Sequence, residues 1–132
     1  MTKIHEVLIV GGGASGLATA SSLRKRNPKL DITVIEPAEK HYYQPGWTMV
    51  GAGVFNKEQT ERTMDSVWPS GIKRIKSEVV TFEPDNSLVT ITSGEKISYK
   101  ILVVAAGLKL DWEAVEGLED ALGSNGVTSN YR

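Results

Sequence analysis

Apolar residues along this chain fall into two rhythms. Val7 to Val10, Ile32 to Ile35 and Ile101 to Ala106 are near-continuous apolar runs, the mark of strands buried on both faces and therefore of a parallel sheet. Between the first two, Ala14 to Arg26 predicts a helix. Ala14, Leu17, Ala18 and Ser21 recur at helical spacing and form a face of small residues suited to close packing on a sheet. Arg24-Lys25-Arg26 complements the dipole of the last turn, and Asn27-Pro28 stops the helix. The second strand runs to Glu36 and ends at Pro37, which completes a strand–helix–strand unit of mononucleotide-binding size.

From Ile72 the period changes to two. Ile75 to Phe82 predicts a strand, Pro84 to Ser87 a turn, and Leu88 to Ile91 the returning strand. Ser93-Gly94-Glu95 turns the chain again into Lys96 to Tyr99, before the third buried run begins. Between the halves, His41 to Gly53 is rich in aromatics and glycine, with Gln44-Pro45-Gly46 as an expected turn. Asn56 and Gln59 stand in capping-box position for a short helix with Lys57/Glu61 and Glu58/Arg62 pairs, broken at Trp68-Pro69-Ser70-Gly71. Asp111 to Arg132 is mixed, with turns at Gly117, Gly123 and Asn125-Gly126. The order predicts an α/β Rossmann-like domain: a parallel sheet with an antiparallel β-meander excursion.

The junction between the first strand and the helix carries the candidate chemistry. Gly11-x-Gly13-x-x-Gly16 permits a tight turn at Gly11, close approach of phosphates at Gly13 and helix–strand packing at Gly16. A pyrophosphate there meets free N–H groups at the positive end of the helix dipole. Ser15 sits where serine is favoured for the helix start in any case. Glu36, at the tip of the next strand, is placed to accept hydrogen bonds from a ribose diol, and its charge disfavours a 2′-phosphate.

Composition removes other chemistries. The 132 residues suffice for one domain, and the net charge of −1 with interspersed signs leaves no basic stripe for nucleic acid. Arg24 to Arg26 and Lys73 to Lys76 read as a solvated helix end and a strand edge. There is no cysteine, so neither a disulfide nor a thiolate nucleophile lies within the chain, and His5 and His41 are too few for a metal site. Catalytic residues are therefore not expected here, and a bound cofactor must carry any chemistry. No run approaches the roughly 20 apolar residues that span a bilayer, and the N-terminus lacks the form of a secretory signal, so a cytoplasmic location is expected.

A β-meander as the crossover, followed by an apolar strand closing on Ala105-Ala106-Gly107, resembles flavoprotein disulfide-reductase-like folds. In those, the glycine fingerprint holds the ADP half of FAD. The run His41-Tyr42-Tyr43-Gln44-Pro45-Gly46-Trp47 through Gly53 resembles the N-terminal region of sulfide:quinone oxidoreductases, as do Pro69-Ser70-Gly71 and Lys96 to Gly107. The resemblance extends from Val7 to Tyr131 and implies FAD as cofactor. It places Gly11, Gly13, Ala14, Ser15 and Gly16 at the pyrophosphate and Glu36 at the adenosine ribose. It also implies that Gln44 and Pro45 approach the flavin, that Val79 meets adenine through its backbone, and that the chain passes close to the cofactor at Gly107.

In that family sulfide attacks a cysteine disulfide beside the flavin, and electrons pass through FAD to quinone at a membrane. The redox cysteines and the late Gly-Asp segment fall beyond the point matching Arg132. Residues 1–132 are accordingly expected to be the N-terminal part of an FAD-binding domain, inactive and weakly flavin-binding alone. Sulfide, quinone and any peripheral membrane contact belong to the full-length protein. The alternatives are an NADH-dependent flavoprotein of the type II NADH dehydrogenase or ferredoxin-reductase kind, which needs a second glycine fingerprint, and a non-catalytic nucleotide-binding module.

Overall fold

The computed structural model describes residues 4–129 and Tyr131; Asn130 and Arg132 of the tail lie outside the described residues. It divides into two compact units. The first comprises residues up to 41 together with 62–107, and the second 42–61 together with 108–132.

The first unit is built on a six-stranded sheet. Its strands are β1 (Ile4–Val10), β2 (Ile32–Ile35), β5 (Lys73–Ile75), β6 (Val79–Glu83), β7 (Leu88–Ile91) and β8 (Lys96–Val104). A separate two-stranded ladder joins β3 (Lys40–Tyr42) and β4 (Glu61–Thr63). The sheet order is β5-β2-β1-β8-β7-β6, with β5, β2, β1 and β8 parallel and β7 and β6 antiparallel. This is the parallel sheet with a meander that the pattern predicts, arranged as a Rossmann-like α/β fold.

Helix α1 (Ala14–Arg26) has the expected bounds, but not the expected face. Ala14, Ala18 and Ser21 are exposed, whereas Gly16, Leu17 and Ala20 are buried, with Leu23 half-buried. The rotation is set at the glycine turn. A Cβ on Gly16 would overlap the carbonyl oxygen of Gly11, so this residue must lie against the strand end, and the helix is phased from it. Ala20 and Leu23 then pack with Val7, Ile9, Ile32, Val34 and Ile72. The opposite cluster joins Leu8 and Ile35 to the meander residues Val89, Ile91, Ile97 and Tyr99.

Two strand expectations are corrected. Ile75 to Phe82 is not one strand: β5 ends at Ile75, and Lys76-Ser77-Glu78 separates it from β6. Lys96 to Tyr99 and Ile101 to Val104 are not two strands but the single β8, antiparallel to β7 and parallel to β1. The alternation changes phase near Lys100. Ile97 and Tyr99 face the Leu8 cluster, while Val103 and Ala105 face the Val7–Ile9 cluster. One strand thus reads as two patterns.

In the second unit, Pro45 does not sit in an isolated turn. It opens helix α2 (Pro45–Gly51), a first-turn position that needs no N–H. The Asn56/Gln59 capping box forms, yet it heads only a 3-10 turn over Lys57–Thr60. The chain extends at Glu61, so the expected i,i+4 pairs have no helix to share. The helix that Trp68-Pro69 ends is instead α3 (Met64–Val67) of the first unit, capped by Thr63. A further α-helix is α4 (Leu118–Ala121).

Candidate functional site

At the carboxyl ends of β1 and β2 lies a cleft of about 290 Å³, lined by Val10, Gly11, Ile35, Glu36, Pro37, Ser77, Glu78, Val79 and Ala106. In an open parallel sheet this is where ligands bind. Gly11 turns the chain with φ of +102°, and a Cβ there would run into the backbone of Ala105 and Ala106. Gly13 is different: a Cβ would meet nothing within 4 Å. The space over Gly13 is therefore open to a phosphate. Gly13 is also the N-cap of α1 and supplies no side-chain cap, so the first-turn N–H groups of Ala14, Ser15 and Gly16 have no partner within the helix.

Glu36 is tied to this turn before any ligand arrives. Its Oε2 accepts from the Gly12 N–H at 2.6 Å and its Oε1 from the Ala38 N–H at 2.6 Å. Each oxygen keeps a lone pair for a further donor. A Cβ on Gly12 would lie 2.7 Å from the Glu36 Cγ, so the middle glycine is required by the carboxylate. Three successive glycines carried that signal, but only the outer two belong to the fingerprint.

The far wall of the cleft comes from the meander. Thr92 donates its N–H to the Glu78 carbonyl at 3.0 Å, and its hydroxyl meets Ser77 Oγ at 3.0 Å and the Glu78 N–H at 3.3 Å. These bonds hold the segment between β5 and β6, including the approach to Val79. Thr92, between the predicted strand and the turn at Ser93-Gly94-Glu95, had no sequence signal of its own.

Of the predicted residues, Gly11, Glu36 and Val79 line the cleft. Gly13, Ala14, Ser15 and Gly16 form the turn and first helical residues next to it. Gly107 follows β8 with φ of +78° and no atom within 4 Å of a Cβ, although Ala106, not Gly107, is in the lining. Gln44 and Pro45 belong to the second unit and line no part of the cleft. That unit has its own cavity of about 490 Å³, walled by Tyr42, Trp47 and Tyr131 in edge-to-face contact.

The two histidines make no metal site, and no group of ligating side chains among the described residues could hold a metal. His5 Nδ1 instead bonds Thr33 Oγ1 at 2.8 Å. Trp68 packs against the core and donates its indole N–H to the Ile72 carbonyl at 2.9 Å. What the cleft can do chemically is bind: it offers backbone N–H groups for phosphate, a fixed carboxylate for hydroxyls, and a wall for a flat base.

Comparison with known proteins agrees with this geometry. The pyridine nucleotide-disulphide oxidoreductase family matches residues 5–130. The mitochondrial sulfide:quinone oxidoreductase of Dictyostelium discoideum is 46% identical over 132 residues, covering 99% of this chain and 29% of that protein. Its mouse counterpart is 39% identical, covering 96% and 28%. The X-ray structure of the sulfide:quinone oxidoreductase from Aquifex aeolicus superposes with a TM-score of 0.73 at 32% identity, over 88% of this chain and 27% of the other. The chain spans less than a third of the length of these relatives. The likeness carried by the Tyr-Gln-Pro run is thereby borne out.

Proposed function

This chain belongs to the pyridine nucleotide-disulphide oxidoreductase family, whose members are FAD-binding flavoproteins, and from that premise we propose that its cleft holds the ADP half of FAD in a sulfide:quinone oxidoreductase. The observation that carries the reading is the carboxylate of Glu36, fixed on the Gly12 N–H beside the open face of Gly13. A phosphate at Gly13 and a ribose at Glu36 are neighbours in an adenosine diphosphate, and the lining at Val79 supplies a base wall.

The flavin, when bound, supplies the electron-transfer chemistry; the part of these 132 residues is to grip and orient it. The N–H groups of the α1 first turn take the pyrophosphate, Glu36 takes the ribose hydroxyls, and the backbone at Val79 takes the adenine. Gln44 and Pro45 serve the flavin end. The residues form the N-terminal part of a longer polypeptide that supplies the redox cysteines, since none occurs here. Sulfide and quinone are the substrates of that whole protein. Its place is peripheral, at the inner face of a membrane, through parts outside these residues; no helix among the described residues is long and apolar enough to cross one.

Flavin content of the purified full-length protein tests the reading. Replacing Glu36 by Ala removes a charge-assisted acceptor worth about 1.5–3 kcal/mol, which is roughly 10- to 100-fold in affinity for FAD. Undiminished flavin in Glu36→Ala would refute the ribose assignment, and a colourless wild type would refute the cofactor.

A further inference from the structure

Arg74 is an unexpectedly sheltered cation. Its side chain is only 9% exposed, although it lies in the basic run Lys73 to Lys76 that reads as a solvated strand edge. It stands on β5, next to β2, with Arg74 in register with Val34. Its Nε donates to the carbonyl of Glu36 at 3.3 Å, and one terminal nitrogen donates to the carbonyl of Ala38. The other terminal nitrogen pairs with Asp65 at 3.1 Å, and the guanidinium lies 5.1 Å from the Trp68 ring centroid. Every nitrogen of the fork is occupied, and Arg74 lines no part of the cleft.

Two of these contacts fall on the loop that carries Glu36, while Asp65 and Trp68 hold the guanidinium from α3 and its end. The Glu36 N–H is already held by the carbonyl of Ile75 on β5 at 2.9 Å. Arg74 holds the carbonyl of the same residue, so the backbone of Glu36 is gripped on both sides from one strand. Arg74 also fixes Ala38, whose N–H carries one of the two carboxylate oxygens. The direction of that carboxylate therefore depends on a planar fork that reaches two carbonyls and an acid at once, which an ammonium cannot do. Hydroxyl recognition is sensitive to such direction, because the hydrogen bond weakens steeply off line.

We propose that Arg74 is a positioning residue for the cofactor: it aims the Glu36 carboxylate at the 2′-hydroxyl of the adenosine ribose without touching the ligand. This rests on the reading of the cleft as an ADP site, and the test separates the two. Flavin-stripped full-length protein is titrated calorimetrically with ADP and with 2′-deoxy-ADP. Wild type is expected to prefer ADP by about 10-fold, the size of one charge-assisted hydrogen bond. Arg74→Met and Arg74→Lys are expected to reduce that preference to less than about 3-fold, with the loss falling on ADP. Arg74→Lys keeps the charge and the apolar stem, and so serves where Arg74→Met fails to fold. A variant that weakens both ligands equally and keeps the wild-type preference overturns the proposal, since that is what general destabilisation does. Wild type that binds ADP without preference overturns Glu36 as ribose acceptor and the proposal with it, whereas wild type that binds neither ligand overturns the ADP site itself.

Discussion

Gly13 and Gly16 lie three residues apart in one motif, and the structure assigns them opposite sensitivities. Gly16 faces the Gly11 carbonyl oxygen so closely that a methyl group has to move backbone, whereas Gly13 has open space beside its Cα and a φ of −70° that any residue adopts. Gly16→Ala is thus expected to destabilise the fold by about 1–3 kcal/mol or more, as overpacking does, visible as a lower denaturation midpoint. Gly13→Ala is expected to leave that midpoint nearly unchanged and yet empty the protein of FAD, because its methyl occupies the space over the turn. Equal stability losses in the two variants would contradict this division. At Glu83, the hydrogen bond from Lys96, 2.9 Å away, holds the carboxyl below its usual value near 4.5. A lowered folded pKa contributes stability above the usual value and loses it as pH falls through the folded one. An NMR titration should find Glu83 returned toward 4.5 in Lys96→Ala. Both glycines were legible as a motif. Arg74 was not, because a run of four residues with three cations looks solvated until β5 turns one of them inward.

At the scale of elements, α1 was readable to its ends, since Gly13, Asn27 and Pro28 are local signals that need no partner. Its buried face was not, because the face is fixed where Gly16 closes on the Gly11 carbonyl oxygen and Ala20 meets strand residues as far along the chain as Ile72, a packing that spacing within the helix does not show. The meander shows the same limit. Periodicity joined β5 to β6, although Ser77 and Glu78 between them, with Val79, form a wall of the cleft. That wall hangs on Thr92. Thr92→Val preserves shape and removes the hydroxyl that serves Ser77 and Glu78, so it is expected to cost about 1 kcal/mol and to speed amide exchange over residues 76–79. Exchange as slow as in wild type would show that the backbone bond from Thr92 to Glu78 suffices.

For the whole molecule, the relevant fact is proportion. The chain spans 29% of its Dictyostelium relative, and the proposed cofactor is gripped in the first unit by its ADP half alone. Large apolar side chains remain in the open, among them Ile101, Val104 and Leu108, the last 96% exposed. Residues 1–132 produced alone are expected to retain little flavin after purification, while the full-length protein carries its characteristic absorption; a stoichiometrically yellow 132-residue protein would overturn this.

What the sequence determined by itself was local or strictly periodic: the buried strands, the helix between them, the glycine turn, the acidic residue one unit further on, and the likeness of the Tyr-Gln-Pro run. Each depends on neighbours within a few residues or on a fixed spacing. Only the tertiary structure decided that β8 is one strand in two phases, that Gly12 makes room for Glu36, and that Arg74 and Thr92 hold the two sides of the cleft. The Gly12, Arg74 and Thr92 contacts join residues 14 to 38 positions apart, and no local pattern encodes which of several cations or hydroxyls a folded strand will turn toward a distant carbonyl.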